Sequence, residues 1–478
     1  MTERKLNLVV PLAHDATDMR TADTTGSFRV RSGAVSPLIG ASLRRGDVDS
    51  TNRRSTPLPP IMHGIRTSTM ATRTTTTRRT RAARGPSAAY SERHHADFSF
   101  AELVEAYFEC RKNKRNTTSA LAFEQDLERN LINLYDELIG GTYQPGRSIC
   151  FVITRPKPRE VWAAEFRDRI VHHLLYIRIS PIFYASFIAD SCACIPGRGT
   201  MYAAERLEAK VRSVTQNWSV PAWYLKCDLA NFFVRIDKRV VWSLIADRVT
   251  EPFWAHLTAL ILFHDPREDF ELRGAAELLD RVPLHKRLTS QPAEFGLPIG
   301  NLSSQFFANI FLDALDQHIK HRIGARHYIR YVDDFVLLHS SPQWLNAALA
   351  EINDFLPRRL NAELNPSKTI LQPVARGVDF VGQVIKPWHR ATRRRTLREA
   401  VSRTGTAAPA DLVTTANSYF GLLRQAGSSH TDQAALAKVV LLRGNTVNKA
   451  LTQTYSKSTT AAAMVRAQQL TKGIQHVV

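Results

Sequence analysis

From about residue 98 onward the apolar positions fall into two periods, and each predicts its own kind of element. In "SALAFEQDLERNLINLYDELIGG", residues Leu121, Phe123, Leu127, Leu131, Leu134 and Leu138 recur largely at helical spacing, until Gly140 and Gly141 stop the helix. "NLSSQFFANIFLDALDQHIKHRI" predicts a second helix, with Leu302, Phe306, Ile310, Phe311, Leu315 and Ile319 on one broad stripe. "SICFVITRPKPREVWAAEFRDRIVHHLLYIRI" reads as a strand, a basic turn and an amphipathic helix, and "WYLKCDLANFFVRID" as a strand running into a helix. A polar, proline-punctuated stretch at about 264–295 reads as an insertion or a surface loop. "HYIRYVDDFVLLH", residues 327–339, predicts two strands around a tight turn, and the region 388–478 looks helical and basic.

The first 95 residues break this rhythm. They are rich in Ser, Thr and Arg, hold no sustained period, and are expected to be disordered. Their composition also suits a transit peptide or a nucleic-acid-binding arm, and Met62 or Met70 are alternative translation starts. The whole chain of 478 residues carries a net charge of +20, and the excess runs through both parts, with 16 Lys+Arg against 7 Asp+Glu in residues 1–95. Such a surplus points to a polyanionic partner, nucleic acid first. No apolar run reaches the roughly 18 residues of a membrane span, so the expectation is a cytoplasmic protein with no membrane partner. Cys110, Cys150, Cys192, Cys194 and Cys227 form no C-x-x-C pair, which suits a reducing compartment; Cys192 and Cys194 read as buried small side chains before metal ligands.

The chemistry concentrates where the apolar pattern is interrupted. Asp333 and Asp334 sit at the tip of the predicted hairpin, and ionised carboxylates among apolar side chains need a cation, a metal or a proton. Arg330 is the cation nearest in sequence. A turn can present both acids to one site, and hard carboxylate oxygens suit Mg2+. Asp228 ends another β-like run where a helix starts; alone it reads as a helix cap, but beside the later pair it becomes a third ligand.

Taken in order, "DLANFF", "GLPIGNLSSQFFAN", "YVDD", "LNPSKT" and "DFVGQVI" resemble the palm motifs of reverse transcriptases, over about residues 98–440. The resemblance implies an α+β right-hand polymerase of fingers, palm and thumb, with an antiparallel-sheet palm and a helical thumb. On that pattern residues 1–95 are a basic disordered segment, 96–220 the N-terminal helices and fingers, 221–387 the palm with its insertion at about 264–295, and 388–478 the thumb. The implied activity is RNA-directed DNA polymerisation with two Mg2+ ions, Mn2+ substituting. Its partners would be an RNA template, a DNA or RNA primer, dNTPs and a small accessory protein. Asp228, Asp333 and Asp334 would hold the metals together with the Leu229 carbonyl, and Lys368 would protonate pyrophosphate. Phe233 would exclude a 2′-hydroxyl, Lys157, Arg159 and Arg167 would reach the triphosphate, and Ile299, Gly300 and Gln305 would line the nucleotide site. Phe380, Val381 and Gly382 would grip the primer. Tyr419 and Phe420, on a thumb helix, read as core packing before stacking on the duplex.

The I-G-x-x-x-S-Q form of the second motif, with "RDRIVHHLL", "DSCACIPGRGT" and "NSYFGLLRQA", resembles diversity-generating retroelement and unknown-group bacterial enzymes of the group II intron and retron lineage, some linked to phage defence. An aliphatic Ile299 in place of an amide would remove a polar check on nucleotide geometry and lower fidelity. Rival readings are template-independent or protein-primed DNA synthesis, an RNA-templated RNA polymerase, and an inert nucleic-acid scaffold. The last is disfavoured by three converging acids whose repulsion only a metal relieves.

Overall fold

The computed structural model describes residues 98–112, 117–155, 157–427 and 429–456. The expectations for the Ser/Thr/Arg-rich segment 1–95, including Met62 and Met70, lie outside the described residues. The chain enters through α1 (Phe100–Arg111), α2 (Thr118–Glu124) and α3 (Leu127–Ile139). Ser99 opens α1 with a capping box, its hydroxyl accepting from the Glu102 amide while Glu102 accepts from the Ser99 amide. The single helix predicted over 119–139 is two helices, broken at Gln125 and Asp126, and the Asn130 side chain donates to the Phe123 carbonyl across the break. Leu131, Leu134 and Leu138 are buried as their spacing predicts, whereas Leu121 is exposed.

β1 (Ser148–Ile153) and β2 (Arg159–Ala163) form an antiparallel hairpin around the basic turn, so the region predicted as one strand is two. α4 (Phe166–Tyr184) follows and is buried nearly all round, because α1 and helices later in the chain cover both its sides. α5 (Thr200–Val214) leads to β3 (Trp223–Asp228), then α6 (Phe232–Arg235), α7 (Lys238–Ala246) and α8 (Pro252–Phe263). The proline-punctuated stretch is built in as structure: β4 (Phe270–Arg273) pairs in parallel with β1, and α9 (Glu277–Asp280) follows. Buried Glu160 on β2 pins the stretch, accepting from the Leu288 amide at 2.8 Å, Thr289 Oγ1 at 3.1 Å and Trp162 Nε1 at 3.1 Å.

α10 (Leu302–Gln317) runs into a wider turn at His318–Arg322 and then into β5 (His327–Tyr331), β6 (Asp334–His339), α11 (Pro342–Phe355) and β7 (Ile370–Pro373). These strands form one antiparallel sheet in the order β5-β6-β3-β7. Its faces alternate with the pleat: Leu225, Cys227, Tyr328, Phe335 and Leu337 join the large core beneath α4, α10 and α11, and Tyr224, Ile329, Val336 and Leu338 join the core under α5. Burial on both faces explains the near-continuous apolar runs.

A second antiparallel sheet holds β8 (Val378–Phe380), β9 (Gln383–Lys386) and β10 (His389–Thr392). Then come α12 (Arg394–Thr406), α13 (Pro409–Leu423), α14 (His430–Leu442) and the short pair β11 (Thr446–Val447) and β12 (Thr454–Tyr455). The three helices close on a core of their own, with Phe420 fully buried and Tyr419 half-buried against it, its hydroxyl accepting a hydrogen bond from Arg403 at 3.2 Å. The class is α+β, with the acids on an antiparallel sheet and a helical C-terminal region, as predicted. All five cysteines are free thiols; Cys192 is buried and Cys194 partly so.

Candidate active site

The site is built at one end of the four-stranded sheet. β3 ends on Asp228, which the register sets directly opposite Asp334, the first residue of β6. Tyr331 pairs with Asp334 across the other hairpin, leaving a two-residue turn of Val332 and Asp333. The pattern thus brings all three predicted acids to one strand end, with Asp333 in the turn and Asp334 in the ladder. Val332 sits at φ 55°, a left-handed conformation that a β-branched residue adopts only under constraint.

Two lysines balance these acids. Lys368 Nζ lies 2.5 Å from Asp228 Oδ1, and Lys226 Nζ lies 3.4 Å from Asp334 Oδ2 while donating to the Asp379 carbonyl at 3.1 Å. Burial and the neighbouring Asp228 push the Asp333 carboxyl up to about 6. Asp334 is also raised by burial, against the opposing pull of Lys226. Cys227, packed under the site, is pushed up to about 12 by burial and stays a neutral thiol.

Among the described residues no three His, Cys, Asp or Glu side chains are already gathered to metal-binding distance. The donor set nevertheless suits a hard divalent cation: three carboxylates share one strand end, and the lysines supply the positive charge that such an ion would bring. Arg330, the nearest cation in sequence, is not the partner of these acids. It turns to the opposite face of the sheet and pairs with Asp316. Lys226 escaped the sequence reading, although its i, i+2 spacing from Asp228 on a strand sets both on one face.

The segment after Asp228 is held by the fourth motif. Leu229 is buried and bridges Leu364, the Ala230 amide donates to the Glu363 carbonyl at 2.9 Å, and the Asn365 amide donates to the Asp228 carbonyl at 2.8 Å. This seam brings Lys368 to Asp228. Phe233, half-buried on α6, rests against Phe232, and its carbonyl accepts from the Leu297 amide at 2.8 Å.

The second motif spans from there to β2. The Trp162 amide donates to the Ile299 carbonyl at 2.7 Å, and the Ala164 amide to Asn301 Oδ1 at 3.0 Å. Gly300 lies at φ 131°, where a Cβ would come within 3.0 Å of the Trp162 carbonyl oxygen, so glycine is required for this approach. Ile299 and Gln305 are half-buried, and Lys157 and Arg159 stand exposed around the β1–β2 turn. Arg167 does not join them. Its guanidinium pairs with Glu137, donates to the Gln144 carbonyl at 3.3 Å and lies over the Tyr143 ring. In the last motif Phe380 is fully buried, and Val381 at φ 44° and Gly382 at φ 89° make the β8–β9 turn. Lys226, holding both Asp334 and the Asp379 carbonyl, ties that hairpin to the acids.

Residues 155–385 match the family model described as reverse transcriptase (RNA-dependent DNA polymerase). The chain carries a reverse transcriptase domain. The family is one of RNA-dependent DNA polymerases, whose domains generally work with divalent metal ions. The matched span contains Asp228, Asp333, Asp334, Lys368 and the β8–β9 turn. Protein YkfC of Escherichia coli (strain K12) is 23% identical over 317 residues, covering 59% of this chain and 75% of the relative. Among solved structures, a telomerase from Candida albicans in complex with a TWJ fragment of telomeric RNA is 12% identical with a TM-score of 0.38, covering 66% of this chain and 59% of that one. The apo telomerase from Candida tropicalis is 13% identical with a TM-score of 0.39, covering 67% and 62%. The chain thus spans less than two thirds of either telomerase chain. Among the described residues of the reverse transcriptase no helix is long and apolar enough to cross a membrane.

Proposed function

We propose that this reverse transcriptase extends a DNA or RNA primer with dNTPs on an RNA template, by metal-assisted phosphoryl transfer at Asp228, Asp333 and Asp334. The observation that carries the reading is the register of Asp228 against Asp334 with Asp333 in the adjoining turn, three acids at one strand end paired, among the described residues, with Lys226 and Lys368. Two Mg2+ ions, or Mn2+ in their place, would be held by these carboxylates and the Leu229 carbonyl, and when bound supply the charge that activates the primer hydroxyl and neutralises the triphosphate.

The chain's own groups do the rest. Lys157 and Arg159 on the exposed β1–β2 turn steer the triphosphate, and Lys368, released from Asp228, hands a proton to the departing pyrophosphate. Arg167 takes no part in this reading, because Glu137 holds its guanidinium. Phe233 excludes a 2′-hydroxyl, Ile299 offers the nucleotide no polar check, and the Val381–Gly382 turn grips the primer. A retroelement or phage-defence setting, with a small accessory protein, is the biological role we attach to this chemistry, on the I-G-x-x-x-S-Q form of the second motif.

The test is extension of a labelled primer on an RNA template with Mg2+ and dNTPs, run beside reactions without template and with ribonucleotides. Template-dependent extension restricted to dNTPs is expected, and Phe233→Ala should admit ribonucleotides. Extension that persists without template would replace this reading with terminal transfer, and none with either Mg2+ or Mn2+ would leave a nucleic-acid scaffold.

A further inference from the structure

Three residues before Asp333, in a strand otherwise apolar on that face, the Arg330 side chain is completely buried. Every one of its N–H donors is used. Nε donates to Asp316 Oδ1 at 2.8 Å; Nη2 donates to Asp316 Oδ2 at 2.7 Å and to Ser191 Oγ at 2.8 Å. Nη1 donates to Asn309 Oδ1 at 3.2 Å and to the Val332 carbonyl at 3.1 Å. Asp316 also accepts from the Tyr328 hydroxyl at 2.6 Å, and Asn309 donates onward to the Ala193 carbonyl at 2.9 Å. The network is therefore closed on both sides of the guanidinium.

Stability alone does not call for such a pair. A buried Arg–Asp pair gives back in desolvation much of what it gains in attraction, and apolar replacements of similar volume often fold as well. An apolar replacement would lose the bonds to Ser191 and Asn309 and, next to the acids, the bond to the Val332 carbonyl. That carbonyl belongs to the residue forced to φ 55°, and the next residue is Asp333. The anchor is also well placed. Asp316 and Asn309 lie on α10, whose first turn adjoins Ile299–Asn301, the segment bonded to β2. Ser191 lies on a segment bridged in parallel to Arg330, the Arg330 amide donating to the Asp190 carbonyl at 2.9 Å and the Cys192 amide to the Arg330 carbonyl at 3.0 Å.

We propose that Arg330 is a positioning residue: anchored on Asp316 and Asn309 of α10, its guanidinium holds the Val332 carbonyl and so presents Asp333 to the metal. The proposal rests on the reading of Asp333 as a metal ligand. It makes α10 a rod between the nucleotide side and the metal side of the site, and sets the accuracy of the catalytic turn from the protein interior.

The experiment compares wild type, Asp333→Asn, Asn309→Ala and the double variant Arg330→Met with Asp316→Asn, which removes both buried charges but leaves Tyr328 an acceptor. Thermal melting, amide hydrogen exchange over the β5–β6 hairpin, Mn2+ binding by electron paramagnetic resonance, and kcat and KM for dNTP are measured on the full chain. The double variant should melt close to wild type, exchange about tenfold faster at the turn and bind Mn2+ about tenfold more weakly, with a fall in kcat at nearly unchanged KM. A folded double variant with wild-type exchange and Mn2+ affinity overturns the proposal. Asn309→Ala keeps the ion pair and serves if the double variant unfolds: turn exchange quickened about threefold supports the proposal, unchanged exchange defeats it. If Asp333→Asn itself binds Mn2+ and polymerises like wild type, the metal reading has failed, which is a different result.

Discussion

Two hairpin turns in this reverse transcriptase have the same length and the same problem, and solve it differently. The β5–β6 turn is Val332–Asp333 and the β8–β9 turn is Val381–Gly382, each a two-residue loop whose valine lies in the left-handed region, at φ 55° and φ 44°. In the second turn the glycine takes φ 89° at little cost, and a Cβ there would meet nothing within 4 Å. In the first turn Val332 alone is left-handed, the aspartate after it is not, and the Arg330 guanidinium holds the Val332 carbonyl from outside the loop. A turn that needs only to be tight can encode its shape locally. On the proposed reading the β5–β6 turn must also present the Asp333 carboxylate, and its left-handed valine is held by a side chain from the strand before it.

The largest test of that difference is Asp333→Asn. With the charge removed and the shape kept, polymerisation should fall by about a thousandfold or more while the protein stays folded. Single-turnover primer extension measures it, and retention of more than a tenth of the rate would put the metal site elsewhere. No single substitution in the β8–β9 turn should approach this.

The lysines come next. Lys226 touches both hairpins, through Asp334 and the Asp379 carbonyl, whereas Lys368 touches Asp228 alone. Lys368→Met should lower kcat about 30-fold and leave primer binding unchanged, as expected for a group acting at the reacting end. Lys226→Met should lower kcat about tenfold and also weaken primer binding about threefold, because it loosens the link between the turns. Equal effects of the two on primer KM would show that the hairpins are not coupled through Lys226.

The same contrast explains what could be read from the sequence. The acid pair between apolar strands, Asp228 at a strand end and the α10 stripe were legible because local periodicity encodes them. The partner of Arg330 was not, since Asp316 lies 14 residues earlier on a helix and only the packed fold shows which way the guanidinium turns. Nor was β4, whose parallel pairing with β1 joins Ser148 to Phe270 across the whole of α4 to α8. Nothing local marks Glu160, whose donors Leu288 and Thr289 lie about 130 residues further along the chain. The Gln125–Asp126 break hid because neither residue stops a helix by itself.

Gly382→Val should act more gently. The new side chain has room, so the cost is the backbone conformation alone, on the order of 1 kcal/mol. The expected outcome is a primer KM raised about fivefold with kcat almost unchanged, read from primer titrations. A loss in kcat as large as that of Lys368→Met would mean that the second turn also shapes the chemistry.

The smallest effect is in stability without metal, and it separates the turns by charge. The Asp333 carboxyl is pushed up to about 6 from an ordinary 3.8. Between those values the folded chain holds a proton that the unfolded chain has lost, so this group adds stability as pH falls through 6 and withdraws it as pH rises. Asp334 moves in the same direction. His172 and His327, pushed down to about 3 and about 4 by burial, act oppositely: the unfolded chain takes up their protons first, so they cost stability as pH falls below 6.5. The whole profile is a balance, but the difference between wild type and Asp333→Asn cancels the histidines. In chelator, Asp333→Asn should melt about 3 °C above wild type at pH 7.5, where it relieves a buried charge, and the gain should shrink as pH falls through 6 and vanish only below the unfolded value of 3.8. The change caused by Gly382→Val should be the same throughout this range, because that turn contains no ionisable side chain. Saturating Mn2+ should reverse the order at pH 7.5 by stabilising wild type alone. A gain from Asp333→Asn that did not depend on pH would mean that the turn tolerates the ionised carboxylate without help, and the Arg330 brace would then have no strain of charge to hold against.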